Sequence, residues 1–358
     1  MKISYFLNKE NNNLDLIRIL LSCLVIIGHA PILNGASNLW VDPIGNFFTF
    51  TYSGALAVKL FFFISGLVVT NSFLTNRSPV YFIISRFFRL IPALLFVLVV
   101  TVFIFGPILT NLSLGEYFSS LDGLRYIRNN LIFSTDYSLP GIFSDNLYKT
   151  AVNGSLWSLN YEVGCYIILL AAFLLLTDKN KYYLNIPIAI IIIDTLLPSR
   201  IIFNWLGTNP EGYLLPASFA FGVLFAVNAD KIQIKLNTVI ASFLIYYTFN
   251  VTAFAQLIFI FASCTLVIYL ASNKFIRKLK PKYDISYGIY LWGFLIQQAL
   301  YHFLGHIYVG YHCLLALLVS ILLALITNVI IEKPFIKIGK HTNKVVQRWF
   351  STIKRQDE

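Results

Sequence analysis

The chain has 358 residues, of which 58% are hydrophobic and only 12% are charged. Soluble domains average about 25% charged residues, so this composition excludes an ordinary soluble protein and indicates a polytopic membrane protein. The net charge of +11 would suit a nucleic-acid partner, but the basic residues follow the order of a membrane topology and we expect no such partner. The four cysteines lack metal-ligand spacing, so we expect neither a metal site nor a disulfide framework.

Long apolar runs recur along the chain, separated by short polar segments. The first run is too long for a signal peptide and lacks a small-residue cleavage site, so we expect it to remain as a span. The pattern predicts an all-α, polytopic transmembrane helical bundle of about ten spans. These spans are residues 14–34, 52–74, 81–108, 155–177, 184–198, 212–228, 236–251, 253–272, 285–303 and 311–332.

The distribution of basic residues predicts the orientation in the bilayer. With the N-terminus in the cytoplasm, most of the 27 basic residues fall in cytoplasmic segments, and only Arg125, Arg128, Lys149 and Arg200 fall in external ones. The positive-inside rule therefore predicts that both termini are cytoplasmic. We expect residues 1–340 to form one transmembrane domain and residues 341–358 to form a basic tail on the anionic inner leaflet.

The longest external segment contains apolar residues at helical spacing between about residues 113 and 133. This spacing predicts an amphipathic helix lying on the outer face of the membrane. A plain helix in an external loop fits the same spacing equally well.

Two ionisable residues lie within the first span. Arg18 and His29 are eleven positions apart, so on a helix they share a face and are separated by about 16 Å along the axis. Ionisable residues inside a span usually face the bundle interior, which predicts one pocket with a cationic end and an imidazole end. The alternative is that Arg18 reaches the inner headgroups and His29 lies in the outer interface.

Further charged residues lie at matching depths in the next three spans. Arg86 and Arg89 are three positions apart near the inner surface, where they would either bind phosphates or anchor the helix. Glu162 and Lys59 each lie about seven residues below the outer surface, near the depth of His29. Two interpretations remain for them: a structural ion pair between Lys59 and Glu162, or a Glu162 carboxylate that orients His29.

These residues belong to a series of motifs along the chain. The motifs are LDLIR at 14–18, GHA at 28–30, FFISG at 62–66, RFFR at 86–89, LWSL at 156–159 followed by Glu162 and Tyr166, SYGIYLW at 286–292 and IEKPF at 331–335. In this order, over nearly the whole chain, they resemble the acyltransferase-3 family. Members of that family transfer acyl groups from cytoplasmic acyl-coenzyme A to extracytoplasmic glycans across the bacterial inner membrane.

The resemblance implies a reaction and a role for each site residue. Arg18, Arg86 and Arg89 are expected to hold the phosphates of an acyl-CoA donor, most simply acetyl-CoA. His29 is expected to act as general base on a hydroxyl of an extracytoplasmic or lipid-linked polysaccharide, with Glu162 beside it; an acyl-His intermediate is equally compatible. Lys59, Ser65 and Trp157 are expected to bind substrate.

The chain departs from the family at several positions, among them Val163 and Gly164, where many members carry acidic and Gln neighbours after the Glu. Many members carry His where this chain has Gly293 and Asp where it has Lys59, which indicates a differently tuned pocket. The second functional interpretation is a transporter or flippase for a polyisoprenyl-linked glycan, whose path would also need charges inside the membrane. A scaffold within a polysaccharide synthase is a third interpretation.

Overall fold

The computed structural model describes residues 1–35, 42–149, 151–176, 180–207, 209–252 and 254–356. Throughout these residues the secondary structure is helical, with two isolated bridges and no strand. The all-α prediction is therefore confirmed. Some predicted features lie outside the described residues. These are Lys179, the predicted span ends at 177 and 253, and residues 357–358 of the predicted tail.

In the described residues, eleven helices of ten or more residues build the helical bundle. One further helix of this length lies in the external segment. The eleven helices of the bundle are α1 (Leu14–Asn34), α2 (Ser53–Asn76), α3 (Pro79–Val100), α4 (Trp157–Leu176), α5 (Asn185–Asp194), α6 (Leu215–Val227), α7 (Leu236–Thr248), α8 (Ala255–Ser272), α9 (Ser286–Leu304), α10 (Val309–Thr327) and α11 (Lys333–Gln356). The shorter helices are Ile3–Phe6, Lys9–Asn11, Gly106–Leu109, Gly154–Leu156, Lys181–Leu184, Ile201–Leu206, Pro210–Gly212 and Lys274–Lys278.

Local sequence signals explain where the site-bearing helices begin and end. The side chain of Asn13 caps α1 by accepting a hydrogen bond from the backbone N–H of Leu16 (3.1 Å). Gly35 ends α1 with a φ of 66°, a left-handed conformation that glycine adopts without a steric penalty. Ser78 caps α3, and Pro79 occupies its first position, where the missing N–H has no intrahelical partner to lose.

Seven helical stretches are long and apolar enough to cross a membrane, judged over the described ranges. They are Leu14–Asn34, Ser53–Asn76, Pro79–Leu109, Gly154–Leu176, Pro210–Val227, Ala255–Ser272 and Val309–Trp349. Each corresponds to one of the predicted spans. The number ten itself and the cytoplasmic location of both termini stay predictions.

The other three predicted spans are helices of a different kind. Helix α5 has 10 residues and α7 has 13, so they are about 15 and 20 Å long, whereas the hydrocarbon core is about 30 Å thick. Helix α9 has 19 residues and is long enough, but its centre carries polar side chains such as Gln297 and Gln298. Composition alone could not separate these short or polar helices from full spans.

Two helices continue through π-helical turns. The first turn, Thr101–Phe105, joins α3 to Gly106–Leu109, and the second, Asn328–Glu332, joins α10 to α11. Helix α11 packs along α3, where Asn343 donates a hydrogen bond to Ser85 (3.0 Å). The predicted division after residue 340 therefore lies within one helix, and the position of the tail on the inner leaflet stays a prediction.

The external segment forms two short helices, Leu114–Ser119 and Asp122–Leu131, instead of one. Ser113 and Glu116 form a capping box that begins the first helix, and the chain becomes extended at Ser120. Tyr117 is buried against the bundle and donates a hydrogen bond to the carbonyl of Val102 (3.0 Å). The apolar side chains of Leu114, Phe118, Leu121 and Leu124 remain exposed.

Helices α2 and α6 pack in direct backbone contact at two glycines. A Cβ atom on Gly66 would lie 2.2 Å from the carbonyl oxygen of Phe219, and one on Gly222 would lie 2.1 Å from that of Phe63. Small residues allow this approach between helices in a membrane. The crossing holds α2 in place, and α1 in turn packs on α2, α9 and α10.

We expect Gly66→Ala to lower the stability of the protein by about 1–3 kcal/mol, because the added methyl group collides with backbone atoms that cannot rotate away. Thermal unfolding in detergent measures this effect. Gly115→Ala is the matched control, since a Cβ there has no heavy atom within 4 Å and leaves stability nearly unchanged. Equal unfolding temperatures for the two variants would contradict the prediction.

Candidate active site

A cavity of about 130 Å³ lies between α1, α2, α3, α4 and α9. Five of the eight predicted site residues line it: Arg18, Ser65, Arg86, Arg89 and Glu162. The remaining walls are mainly aliphatic and aromatic side chains, including three tyrosines. Residues that the sequence analysis selected on four different helices therefore meet in one cavity, and their roles stay predictions.

The inner end of the cavity is an ion network centred on Asp284, which lies in the turn before α9. Oδ2 of Asp284 accepts hydrogen bonds from Arg18 Nη1 (2.8 Å) and Arg89 Nη2 (2.9 Å). Arg89 also pairs with Glu332 at 3.4 Å. Burial raises the pKa of Asp284, but the charges of Arg89 and Arg18 outweigh it and hold this pKa well below its usual range. Asp284 is therefore a carboxylate at any physiological pH.

Sequence analysis assigned no role to Asp284 or Glu332. Glu332 lies within the IEKPF motif, and Asp284 comes two residues before the SYGIYLW motif, so the motifs were the signal that could have found them. The π-helical turn places Glu332 where its side chain is fully buried beside Arg89. Such turns often occur at functional sites.

Arg86 differs from the other two arginines of the cavity. It lies on the same face of α3 as Arg89 and is half-buried, but it forms no ion pair or hydrogen bond with another described residue. Its guanidinium group therefore keeps its donors available to a molecule in the cavity. This is an arrangement that suits an incoming phosphate.

Glu162 is held by two hydroxyl groups in the middle of the cavity. Its Oε1 accepts hydrogen bonds from Ser65 (3.2 Å) and from Tyr166, which lies one helical turn farther along α4. The two hydroxyl oxygens are themselves 2.8 Å apart. Neither partner expected from the sequence, Lys59 or His29, forms a hydrogen bond or ion pair with Glu162 in the described part of the chain.

His29 lies outside the lining of this cavity. Its half-buried ring makes an edge-on contact with Phe294 (5.4 Å between centroids), and its Nδ1 is buried without a hydrogen-bond partner among the described residues. Phe294 is one turn farther along α9 than Tyr290, which lines the cavity. The imidazole therefore contacts α9 one turn farther along than the residue that lines this part of the cavity.

The lining of this cavity includes Arg18 and does not include His29, so a single pocket with these two residues at its ends stays a prediction. Tyr290 lies at this wall, where its hydroxyl donates to the carbonyl of Ser155 (2.7 Å) and lies 2.6 Å from the hydroxyl of Ser158. The sequence placed both ionisable residues on one face of α1, but it could not show that the imidazole would contact Phe294 while Tyr290, one turn earlier on α9, lines the cavity.

Lys59 and Trp157 also lie outside the cavity lining. Trp157 packs against the turn Pro210–Gly212. A Cβ atom added to Gly212 would lie only 3.1 Å from the ring of Trp157. Lys59 is buried on α2 and interacts electrostatically with Glu211 of the same turn. The two residues thus face one short segment ahead of α6.

The described residues form a helical bundle with membrane-spanning helices, and its internal cavity carries arginines and a carboxylate. These features are typical of integral-membrane proteins that bind a polar or anionic molecule inside the membrane. The family model described as an acyltransferase domain matches residues 11–332, so the chain belongs to this family. The resemblance seen in the motifs is confirmed, and the protein is a membrane-embedded acyltransferase.

Two curated proteins are similar to the chain. The O-acetyl transferase of Shigella phage Sf6 is 26% identical over 340 residues, which cover 91% of this chain and 96% of that protein. Nodulation protein 10 of Rhizobium leguminosarum bv. viciae is 26% identical over 170 residues, which cover 45% of this chain and 43% of that protein. No solved structure matches the chain significantly.

Proposed function

We propose that the protein is an O-acyltransferase of the bacterial inner membrane that moves an acetyl group from cytoplasmic acetyl-CoA to a hydroxyl of an extracytoplasmic or lipid-linked polysaccharide. The observation that carries this proposal is the cavity, which joins a cluster of arginines to a hydroxyl-held carboxylate inside the bundle. The similarity to an O-acetyl transferase over 91% of the chain supports the acetyl group.

The donor binds at the arginine end of the cavity. Coenzyme A carries its phosphates at one end and its thioester at the tip of a long arm. Arg86, which has no partner among the described residues, takes a phosphate directly, whereas Arg18 and Arg89 are held in place by Asp284. Because carboxylates balance their charge, these two arginines contribute the N–H donors that the ion network leaves free, and Asp284 keeps the geometry of those donors constant between turnovers.

The thioester reaches the middle of the cavity and then His29. Tyr290 lies in the cavity wall one helical turn from Phe294, which contacts the imidazole, so the Tyr290 side chain moves aside when the arm is bound. His29 removes the proton from the acceptor hydroxyl as the oxygen forms a bond to the acyl carbon. The carbon–sulfur bond breaks, and the imidazolium returns the proton to the leaving thiolate.

Glu162 acts through its charge and not through a direct hydrogen bond to His29. Ser65 and Tyr166 fix one carboxylate oxygen, so the negative charge has a defined position between the arginines and the imidazole. A fixed negative charge in a poorly hydrated site stabilises the imidazolium that forms during the reaction. The same poor hydration protects the thioester from hydrolysis.

Arg86→Gln is expected to weaken binding of acetyl-CoA to the purified protein by about 10- to 100-fold, since a hydrogen bond to a charged group contributes about 1.5–3 kcal/mol. Titration calorimetry in detergent measures the affinity. Arg128→Gln, which changes an arginine on the external segment, is the control and leaves the affinity unchanged. Unchanged donor affinity in Arg86→Gln would remove this arginine from the donor site.

A further inference from the structure

Lys59 is a buried cation without a partner in contact. Its side chain is 7% exposed on α2, and it forms no hydrogen bond or ion pair with any residue in the described ranges. Burying an unpaired ammonium group costs several kcal/mol, so a protein retains one when something else compensates it. Proposed acyl transfer at His29 does not require Lys59 as a proton donor or acceptor.

The surroundings of Lys59 connect it to the acceptor side of the site. Lys59 lies six residues into α2, about 9 Å from the helix end that also approaches His29. Tyr52, the residue before α2, packs over Gly28. A Cβ atom added to Gly28 would lie 3.0 Å from the ring of Tyr52. Tyr52 also interacts electrostatically with Glu211, as Lys59 does. Glu211 is therefore within electrostatic range both of Lys59 and of Tyr52, the residue that packs over Gly28 next to His29.

An aromatic surface belongs to the same region. Gly212 packs on the rings of both Trp157 and Tyr161. A Cβ atom added to Gly212 would lie 3.1 Å from the Trp157 ring and 2.8 Å from the Tyr161 ring. Tyr161 is buried, whereas Trp157 is only half-buried, so Trp157 is the ring of this pair that keeps surface for the apolar side of a sugar. Glu211 is exposed and can accept hydrogen bonds from hydroxyls. Lys59 has a different chemistry, because an ammonium group pairs best with an anionic oxygen.

We propose that Lys59 binds an anionic group carried by the acceptor, either the carboxylate of an acidic sugar or the phosphate that links a sugar to its lipid carrier. This inference rests on the proposed acyl transfer and adds the charge class of its acceptor. The acceptor's anionic group supplies the counter-charge that Lys59 lacks, and the binding energy fixes the hydroxyl at His29.

The test compares three acceptors with purified protein and acetyl-CoA: a neutral oligosaccharide, a uronate-containing oligosaccharide, and a neutral oligosaccharide on polyisoprenyl diphosphate. The wild type is expected to acylate one of the two anionic acceptors with a KM about 10- to 100-fold lower than for the neutral oligosaccharide. The acceptor that is preferred distinguishes a sugar carboxylate from a carrier phosphate.

Lys59→Met is expected to remove this preference by raising the KM for the anionic acceptor about 10- to 100-fold, with little change in kcat or in acetyl-CoA affinity. Lys59→Arg keeps the positive charge and restores much of the preference. Arg125→Met, at a cation on the external segment, is the control and leaves the KM unchanged. Lys59→Met unfolds at the same or a higher temperature than the wild type, because it removes an unpaired buried charge.

Two results would overturn the inference and leave the proposed function intact. The first is efficient acylation of the neutral oligosaccharide with the same KM in Lys59→Met. The second is an equal loss of thermal stability in Lys59→Met and Glu211→Gln, which would show that the two residues form a structural pair. Failure of the purified protein to bind acetyl-CoA would instead overturn the proposed function, and the inference with it.

Discussion

Replacing His29 by alanine is expected to lower kcat/KM for acyl transfer to glycan by about 10²- to 10⁴-fold, the range that a positioned general base contributes. The donor cavity does not include His29, so the affinity for acetyl-CoA stays close to that of the wild type. The measurement is acyl transfer by the purified protein, together with mass spectrometry of the surface glycan in cells that carry the variant.

His306→Ala is the matched control, because this histidine is exposed at the far end of α9 and touches neither the cavity nor Phe294. Its turnover is expected to equal that of the wild type. Wild-type turnover in His29→Ala would disprove the role of the imidazole. A wild-type protein incubated with acetyl-CoA alone resolves the open question of an acyl-His intermediate, since a stable mass increase on the peptide containing His29 would show covalent transfer.

Replacing Arg89 by alanine is expected to destabilise the protein by about 3–5 kcal/mol, as removal of one partner from a buried ion network does. Arg89 alone connects Asp284 to Glu332, and the Glu332 side chain is fully buried. Without the guanidinium group, Glu332 loses its only described counter-charge and Asp284 keeps only Arg18 in contact. Unfolding in detergent, followed by circular dichroism against denaturant, measures the loss.

Arg86→Ala separates this effect from donor binding. Arg86 has no ion pair with a described residue, so this variant keeps the stability of the wild type while it loses donor affinity. Combining Arg89→Ala with Glu332→Gln removes the stranded charge, and we expect it to recover part of the lost stability. If Arg89→Ala is as stable as Arg86→Ala, the ion network has no structural role.

The sequence was sufficient for those features that depend on one helix at a time. The apolar runs predicted where most of the long helices lie. Helical periodicity put Arg86 and Arg89 on one face, and both line the cavity. The order of the motifs identified the family. The lengths of the external helix and of α5 were predicted less well. Adding or removing one helical turn changes the composition of a segment very little, so composition does not fix the length of a helix.

What only the tertiary structure decided is how the helices are turned towards one another. Arg18 and Asp284 are 266 positions apart, and their 2.8 Å hydrogen bond depends on the packing of α1 against α9. The partners of Glu162 were decided in the same way, as were the place of Tyr290 in the cavity wall and the contact of His29 with Phe294. A helical repeat fixes the depth and the face of a side chain on its own helix, but the rotation of each helix follows from contacts with all its neighbours. The sequence therefore determined which residues share a face and a depth on each helix, and the packing of the bundle determined which of them meet.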